Sequence, residues 1–346
     1  MSDEVTRLKG INNVGDSTLS TLIQDSLVEF FDWGLLDKGN FFNIDIPASG
    51  HYGGDKHKLR LVNDPNYTSG QVWEGFRSNW VWQSGLSFNK QANVIQKELE
   101  DATYPLSKRL PGVSGVFIDN VFRPASGVGP HAHSIDHPRG RVIFDSAIST
   151  TSDVQAEFSY KWINVIRANH AFFREIQYRS QRADGDFTQA GSGDWSQLSE
   201  NRLQLPVLAI EGVKKRDFKP YQLGGGQWVY SDVLFHVLAE EEYTRDKILD
   251  IVSLQNEKTL RMFDSDRIGR NNAYPLDWKG SPKSGSLRYP EMIAYSGVGG
   301  YGAIDIGIAY GALGLRDSRI TAVDTLSPNL YHGVVRTSTE VIMPQI

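Results

Sequence analysis

Two stretches in the second half of the chain carry the residue types of β-strands. Residues 205–213 and 228–239 are rich in branched and aromatic side chains, and a glycine turn at 224–226 precedes the second stretch. This composition predicts two strands of one sheet. Residues 319–325 and 330–343 have the same character and are predicted to complete that sheet.

Residues 243–262 follow the second predicted strand and show helical periodicity. Ile248, Ile251 and Val252 recur at the spacing of one helix face. Such a face buries its apolar side chains, so we expect this helix to back the sheet by packing on the strand at 228–238.

The first half of the chain begins with a helical pattern and continues with strand patterns. Asp16 or Ser17 is suited to cap a helix that is predicted to end at Gly34. Between residues 40 and 88, short aromatic and branched runs separated by turn residues predict a small sheet. Residues 139–145 and 154–165 are predicted to pair as an antiparallel hairpin.

Together these patterns predict an α+β fold with mixed or antiparallel sheets and few helices. The polar, glycine-rich stretch at 183–199 is typical of a domain junction. We therefore expect a strand-rich docking domain with an N-terminal helix at 1–182 and an α+β domain at 183–346. Residues 264–312 form a glycine-rich insertion in the second domain, and we expect the segment 280–302 to order against neighbouring chains.

Composition and charge exclude several classes of function. The chain has 346 residues, of which 40% are hydrophobic and 22% charged, which is ordinary for a globular protein. Its net charge of -5 disfavours general or sequence-specific nucleic-acid binding, although Lys214, Lys215 and Arg216 form a local basic patch. The absence of cysteine excludes disulfides, thiolate zinc sites and cysteine nucleophiles. No apolar run has the length of a membrane span and no leader pattern is visible, so we expect a cytoplasmic protein without membrane association.

One histidine cluster is the best candidate for chemistry. His131, His133 and His137 lie beside Asp136, and imidazoles two residues apart on a strand can share a metal ion. Glycine and proline surround the cluster, and this setting favours a polar loop tip between strands. We therefore expect no bound metal, no cofactor and no catalytic residues, while a metal-dependent enzyme stays an alternative.

Aromatic residues near position 80 are the most unusual local feature. Trp73, Arg77, Trp80 and Trp82 are residue types that protein interfaces favour at their energetic centres, and Tyr301 lies in the glycine-rich segment. These five residues are our candidates for an interface. The alternative for the tryptophans is the core of the N-terminal sheet.

Several stretches of the chain resemble proteins of tailed bacteriophages. The segment TRDKILDIVSLQ at 244–255 follows a strand that ends in acidic residues, and the chain closes with LGLRDSRITAV at 313–323 and LYHGVVRTSTEVIMP at 330–344. This arrangement resembles phage tail-terminator and neck proteins. In the first half, residues 70–82 and 140–146 are similar to uncharacterised phage virion proteins.

The resemblance implies a structural protein of the virion rather than an enzyme. It implies a ring at the head-tail junction, with six copies, that is assembled in the host cytoplasm. The partners would be head-completion or connector proteins above the ring and tail tube or sheath below it. Another adaptor role, in baseplate or fibre attachment, is the main alternative.

Overall fold

The computed structural model describes the following parts of the chain: residues 16–46, 56–83, 86, 95, 109–169, 205–220, 226–263, 275–286, 288–290, 309–327 and 330–344. Within them the predicted α+β fold with mixed and antiparallel sheets and few helices is confirmed. The expected domain junction at 183–199 and the interface candidate Tyr301 lie outside the described residues.

Nine short strands lie between Phe41 and Lys161 among the described residues. They are β1 (Phe41–Ile44), β2 (Arg60–Leu61), β3 (Val72–Glu74), β4 (Gly115–Ile118), β5 (Val121–Pro124), β6 (His133–Asp136), β7 (Arg141–Phe144), β8 (Val154–Ala156) and β9 (Phe158–Lys161). They pair as three small sheets in the orders β1-β9, β2-β3-β7-β6 and β5-β4-β8. One apolar cluster with residues from all three sheets, including Val116, Val142 and Phe158, holds them together.

The hairpin predicted from residues 139–145 and 154–165 is wrong. β7 pairs with β3 and β6, whereas β8 pairs with β4 and β9 pairs with β1. The strands themselves are present, but each finds a partner distant in sequence. A turn composition marks where a strand ends and does not select its neighbour.

The remaining described strands form one six-stranded sheet, to which the second half of the chain contributes five strands. Its members are β10 (Asn164–Arg167), β11 (Val207–Pro220), β12 (Gly226–Ala239), β13 (Lys258–Phe263), β14 (Ala309–Ser327) and β15 (Leu330–Pro344). Their order is β10-β11-β12-β15-β14-β13, and only the β10-β11 pair is parallel. The four predicted strands are therefore confirmed, with β14 beginning at Ala309 inside the expected insertion.

The first helix, α1 (Asp16–Asp37), lies on one face of this sheet. Its buried residues Leu19, Ile23 and Leu27 belong to the same apolar cluster as Leu208 of β11. The helix continues past Gly34, contrary to our prediction, because Leu35 and Leu36 are also buried. It ends where Gly39 adopts a left-handed φ of 87° and donates its N–H to Leu36 O at 2.9 Å.

The second helix, α2 (Glu242–Ser253), packs beside α1 on the sheet and contacts β12, β14 and β15. Ile248 and Val252 are buried and Ile251 packs at the edge of the cluster, as the periodicity predicts. The helix is nevertheless shorter than the predicted 243–262. The chain turns at Glu257, whose φ is 56°, and then forms β13.

The two halves of the chain share more structure than a division at residue 183 implies. β9 leads directly into β10, which is a strand of the large sheet. In addition, α1 precedes all the N-terminal strands but packs on β10, β11 and β13. The large sheet therefore takes one of its two described covering helices and one strand from the first half of the sequence.

Candidate assembly surface

The large sheet has two long edge segments that have a described partner strand on one side alone. β11 pairs with β12 on one side, and on its other side β10 covers residues 207–210. Along residues 211–220, β12 is therefore the one described partner of β11. On the other side of the sheet, β13 covers β14 up to Leu315, and residues 316–327 pair with β15 alone among the described strands. We call these segments the β11 edge (211–220) and the β14 edge (316–327).

The two edges lie at opposite ends of the sheet as well as on opposite sides. The β11 edge pairs with the first half of β12, which in turn pairs with the second half of β15. The β14 edge pairs with the first half of β15. Among the described strands, these two diagonally placed segments thus have no strand partner on their outer side, where backbone N–H and C=O groups can bind an added strand.

Strand length creates this arrangement. β14 has 19 residues and β15 has 15, whereas β10 has four and β13 has six. At ~3.3 Å per residue, β14 spans about 60 Å. Such a strand is several times longer than the usual five or six residues, so the short outer strands leave part of it uncovered.

Apolar side chains are exposed on both edges. On the β14 edge, Ile320, Val323 and Leu326 are 44%, 51% and 37% exposed. On the β11 edge, Phe218 is 48% exposed, and Lys219 lies over the ring of the neighbouring Tyr230 at 4.9 Å. Large apolar residues clustered on an exposed strand are typical of an interaction site.

Other features of the edges restrict which strand can be added. The β14-β15 ladder changes register at three places, and β11 changes register between Gly212 and Arg216. Such irregularities increase the local twist and disfavour indiscriminate pairing. Arg319 also pairs with Asp317 on the β14 edge at 2.8 Å. A partner strand must therefore match a twisted and charged edge.

The structure buries most of the interface candidates within the chain itself. Trp73, Arg77 and Trp80 are 4%, 7% and 0% exposed, and Trp80 stacks on Phe158 with ring centroids 4.4 Å apart. Trp82 is half-buried beside α1. We therefore interpret these residues as core, because aromatic composition alone does not separate a core from an interface.

The histidine cluster consists of separate side chains, of which His133 and His137 are buried. His133 Nδ1 donates to His131 O at 2.8 Å, and His137 Nδ1 donates to Gly280 O at 3.1 Å. Burial lowers the pKa of His137 to about 4 and also lowers the pKa of His133. Across the described residues, no three histidine or carboxylate side chains are placed to share a metal ion.

The segment that follows Pro275 contacts the N-terminal strands of its own chain. Ser281 Oγ donates to Ile135 O at 2.9 Å, and Lys279 Nζ lies 3.2 Å from Asp145. Gly280 and Ser281 are thus ordered by contacts within their own chain, contrary to our expectation that the segment 280–302 orders against neighbouring chains. Residues 291–302 lie outside the described part of the chain.

A second histidine site, which sequence patterns did not indicate, lies on the large sheet. His236 Nδ1 is 3.2 Å from His332 Nε2, and His236 Nε2 is 2.8 Å from Glu211 Oε2. Burial, followed by the neighbouring His236, lowers the pKa of His332 to about 4. These residues come from three strands, so only the register of the sheet brings them together.

Trp278 is a further exposed residue that the sequence did not single out. It is 80% exposed at the tip of a turn in which the Asp277 carboxylate accepts the N–H groups of Lys279 and Ser281. Gly280 supplies the left-handed φ of 82°. An aspartate three residues before a glycine is the sequence signal that predicts such a turn.

Comparisons with known proteins add no relative. The chain matches no protein-family model, and a search of the curated proteins finds no match. Neither helix of the described residues is long and apolar enough to span a membrane.

Proposed function

We propose that this protein is a self-associating structural subunit of a tailed-phage virion, in a ring-forming neck or tail-terminator role at the head-tail junction. The observation that carries the proposal is the pair of diagonally placed edges on the large sheet. The resemblance of residues 244–255, 313–323 and 330–344 to phage tail-terminator and neck proteins supports the same role.

Two different edges on one subunit favour a closed ring. When the β14 edge of one copy pairs with the β11 edge of the next, each contact joins unlike surfaces. Such contacts repeat until the rotation between neighbours closes the circle, and the resemblance implies six copies. Pairing of the β14 edge with itself would instead stop at a dimer.

The expected partners follow from this position in the particle. Head-completion or connector proteins would contact one side of the ring, and tail tube or sheath proteins the other. We propose no enzymatic activity and no sequence-specific nucleic-acid binding, in line with the net charge of -5. Assembly would take place in the host cytoplasm.

An adaptor role elsewhere in the virion is the second candidate. Trp278 favours it, because a tryptophan that a tight turn holds in solvent is suited to anchor a partner protein. This role needs no ring, so the copy number distinguishes it from the first proposal.

The test is the mass of the purified full-length chain, measured by light scattering during size-exclusion chromatography, with electron microscopy of the same fractions. We expect a ring of several copies at micromolar concentration. A chain that stays monomeric at tens of micromolar would contradict the proposal, and a dimer would favour self-pairing of one edge.

A matched pair of variants locates the contact. Val323→Lys places a charge on the β14 edge, whereas Val121→Lys places the same charge on β5 in the N-terminal region. The two valines are 51% and 50% exposed, so both substitutions should leave the fold intact. We expect only Val323→Lys to weaken the assembly, and equal behaviour of the two variants would exclude the β14 edge.

A further inference from the structure

Arg77 places a positive charge in the interior without an ion-pair partner among the described residues. Arg77 comes shortly after β3 in the chain and is 7% exposed. Its guanidinium lies 5.2 Å from the centre of the Tyr160 ring. One guanidinium nitrogen, Nη1, donates to Leu205 O over a long 3.5 Å. The Nε–H group is buried and has no hydrogen-bond partner among the described residues.

A second cation lies close to Arg77. Lys56 is half-buried, and its Nζ lies 5.4 Å from the centre of the Phe76 ring. The described residues provide no ion-pair partner for Lys56 either. Burial, and then the charge of Arg77, lowers the pKa of Lys56. Burial lowers the pKa of Arg77, whereas Tyr160 and then Glu240, which follows β12, oppose the shift.

An unpaired buried cation is unfavourable, and a second cation beside it adds repulsion. Proteins usually satisfy a buried donor with a side chain, a water molecule or an ion. A guanidinium edge with a free N–H group is suited to an oxyanion, since it donates along the direction of the oxygen lone pairs. The neighbouring ammonium group adds a second positive charge.

We propose that Arg77 binds a small oxyanion, either a phosphate or a carboxylate, through its buried Nε–H group, with the Lys56 ammonium group as the second positive charge. The site lies between the N-terminal strands and the large sheet, because Leu205 precedes β11 and Glu240 follows β12. The bound anion therefore neutralises the charge where the two parts of the chain meet. This proposal is independent of the assembly proposal.

The test measures thermal unfolding of the full-length protein in sodium phosphate, sodium acetate and sodium chloride of equal ionic strength at pH 7. We expect the oxyanion to raise Tm by about 2 °C or more above the value in chloride, as for a ligand well above its Kd. A rise in phosphate assigns a phosphate, and a rise in acetate alone assigns a carboxylate. Equal Tm values in all three salts overturn the proposal.

Variants show whether the effect comes from this site. Lys56→Gln removes the half-buried cation and should reduce the rise in Tm by at least half. Lys38→Gln removes an exposed lysine just after α1, outside both edges of the large sheet, and should leave the rise unchanged. Arg77→Lys keeps the positive charge but lacks the guanidinium Nε–H group. If this variant folds, the oxyanion should no longer raise its Tm. An equal rise in wild type and Lys56→Gln would exclude the site.

Discussion

Gly333 of β15 lies directly beneath Leu249 of α2, and the contact leaves no room for a side chain. A Cβ atom at position 333 would lie 2.5 Å from Leu249 Cδ1 and 3.0 Å from Cδ2. Leu249 is 1% exposed, so its side chain has little space to move. We predict that Gly333→Ala lowers the free energy of unfolding by about 1 to 3 kcal/mol, the usual cost of overpacking.

The same contact predicts that two harmful substitutions compensate each other. Leu249→Ala alone removes the clashing methyl groups and leaves a cavity, at a cost of about 2 to 5 kcal/mol. In the double variant, the new methyl group at 333 occupies part of that cavity. Gly333→Ala should therefore cost little or stabilise in this background, with a coupling energy of about 1 to 3 kcal/mol.

Urea unfolding followed by circular dichroism, at a concentration where all variants have the same oligomeric state, measures the four free energies. Gly34→Ala is the matched control, because no atom lies within 4 Å of a Cβ at that position of α1. It should stabilise by about 0.5 to 1 kcal/mol, as alanine favours a helix. Additive effects of Gly333→Ala and Leu249→Ala would refute the packing of α2 on β15.

The strands of the large sheet were predictable because they are rich in the branched and aromatic side chains that a buried sheet favours. The length of α2 was not. Residues 258–263 also contain Leu260 and Met262 at a period of two, and both are buried in β13. Over so few residues, these apolar positions also fit the spacing of a helix face, so the sequence pattern extended α2 into β13. In the structure, the left-handed turn at Glu257 separates α2 from β13.

The candidate assembly surface could not be predicted from the sequence. An edge exists because β10 and β13 are shorter than the strands that they cover, and this depends on pairing between distant segments. The exposure of Ile320 and Val323 follows from the same pairing. Composition similarly identified Trp80 as unusual but could not show that Phe158 covers it, since their contact depends on strands far apart in sequence.

The remaining predictions concern buried charges at α1. Lys161 Nζ lies 2.6 Å from Asp32 Oδ2, which also accepts a hydrogen bond from Gln83 Nε2 at 2.7 Å. Lys161→Met therefore leaves the buried Asp32 carboxylate without its cation and should cost about 3 to 5 kcal/mol in urea unfolding, whereas adding Asp32→Asn should recover part of that loss. Glu29 titrates nearby: burial, and then the charge of Asp32, raises its pKa from 4.5 to about 7, although Lys161 and a hydrogen bond from Trp33 oppose the shift. The nearby Tyr289 is buried as well, and the proximity of Glu29 contributes to its raised pKa. The folded state holds the Glu29 proton more tightly than the unfolded state does, so protonation of Glu29 stabilises the fold. This contribution to the free energy of unfolding is complete below pH 4.5 and is lost as the pH rises to about 7. Relative to that of wild type, the free energy of unfolding of Glu29→Gln should therefore rise by about 1 to 3 kcal/mol between pH 4.5 and 8. This energy is discounted for the partial exposure of Glu29. Parallel stability curves for the two proteins across this range would show that Glu29 keeps an ordinary pKa.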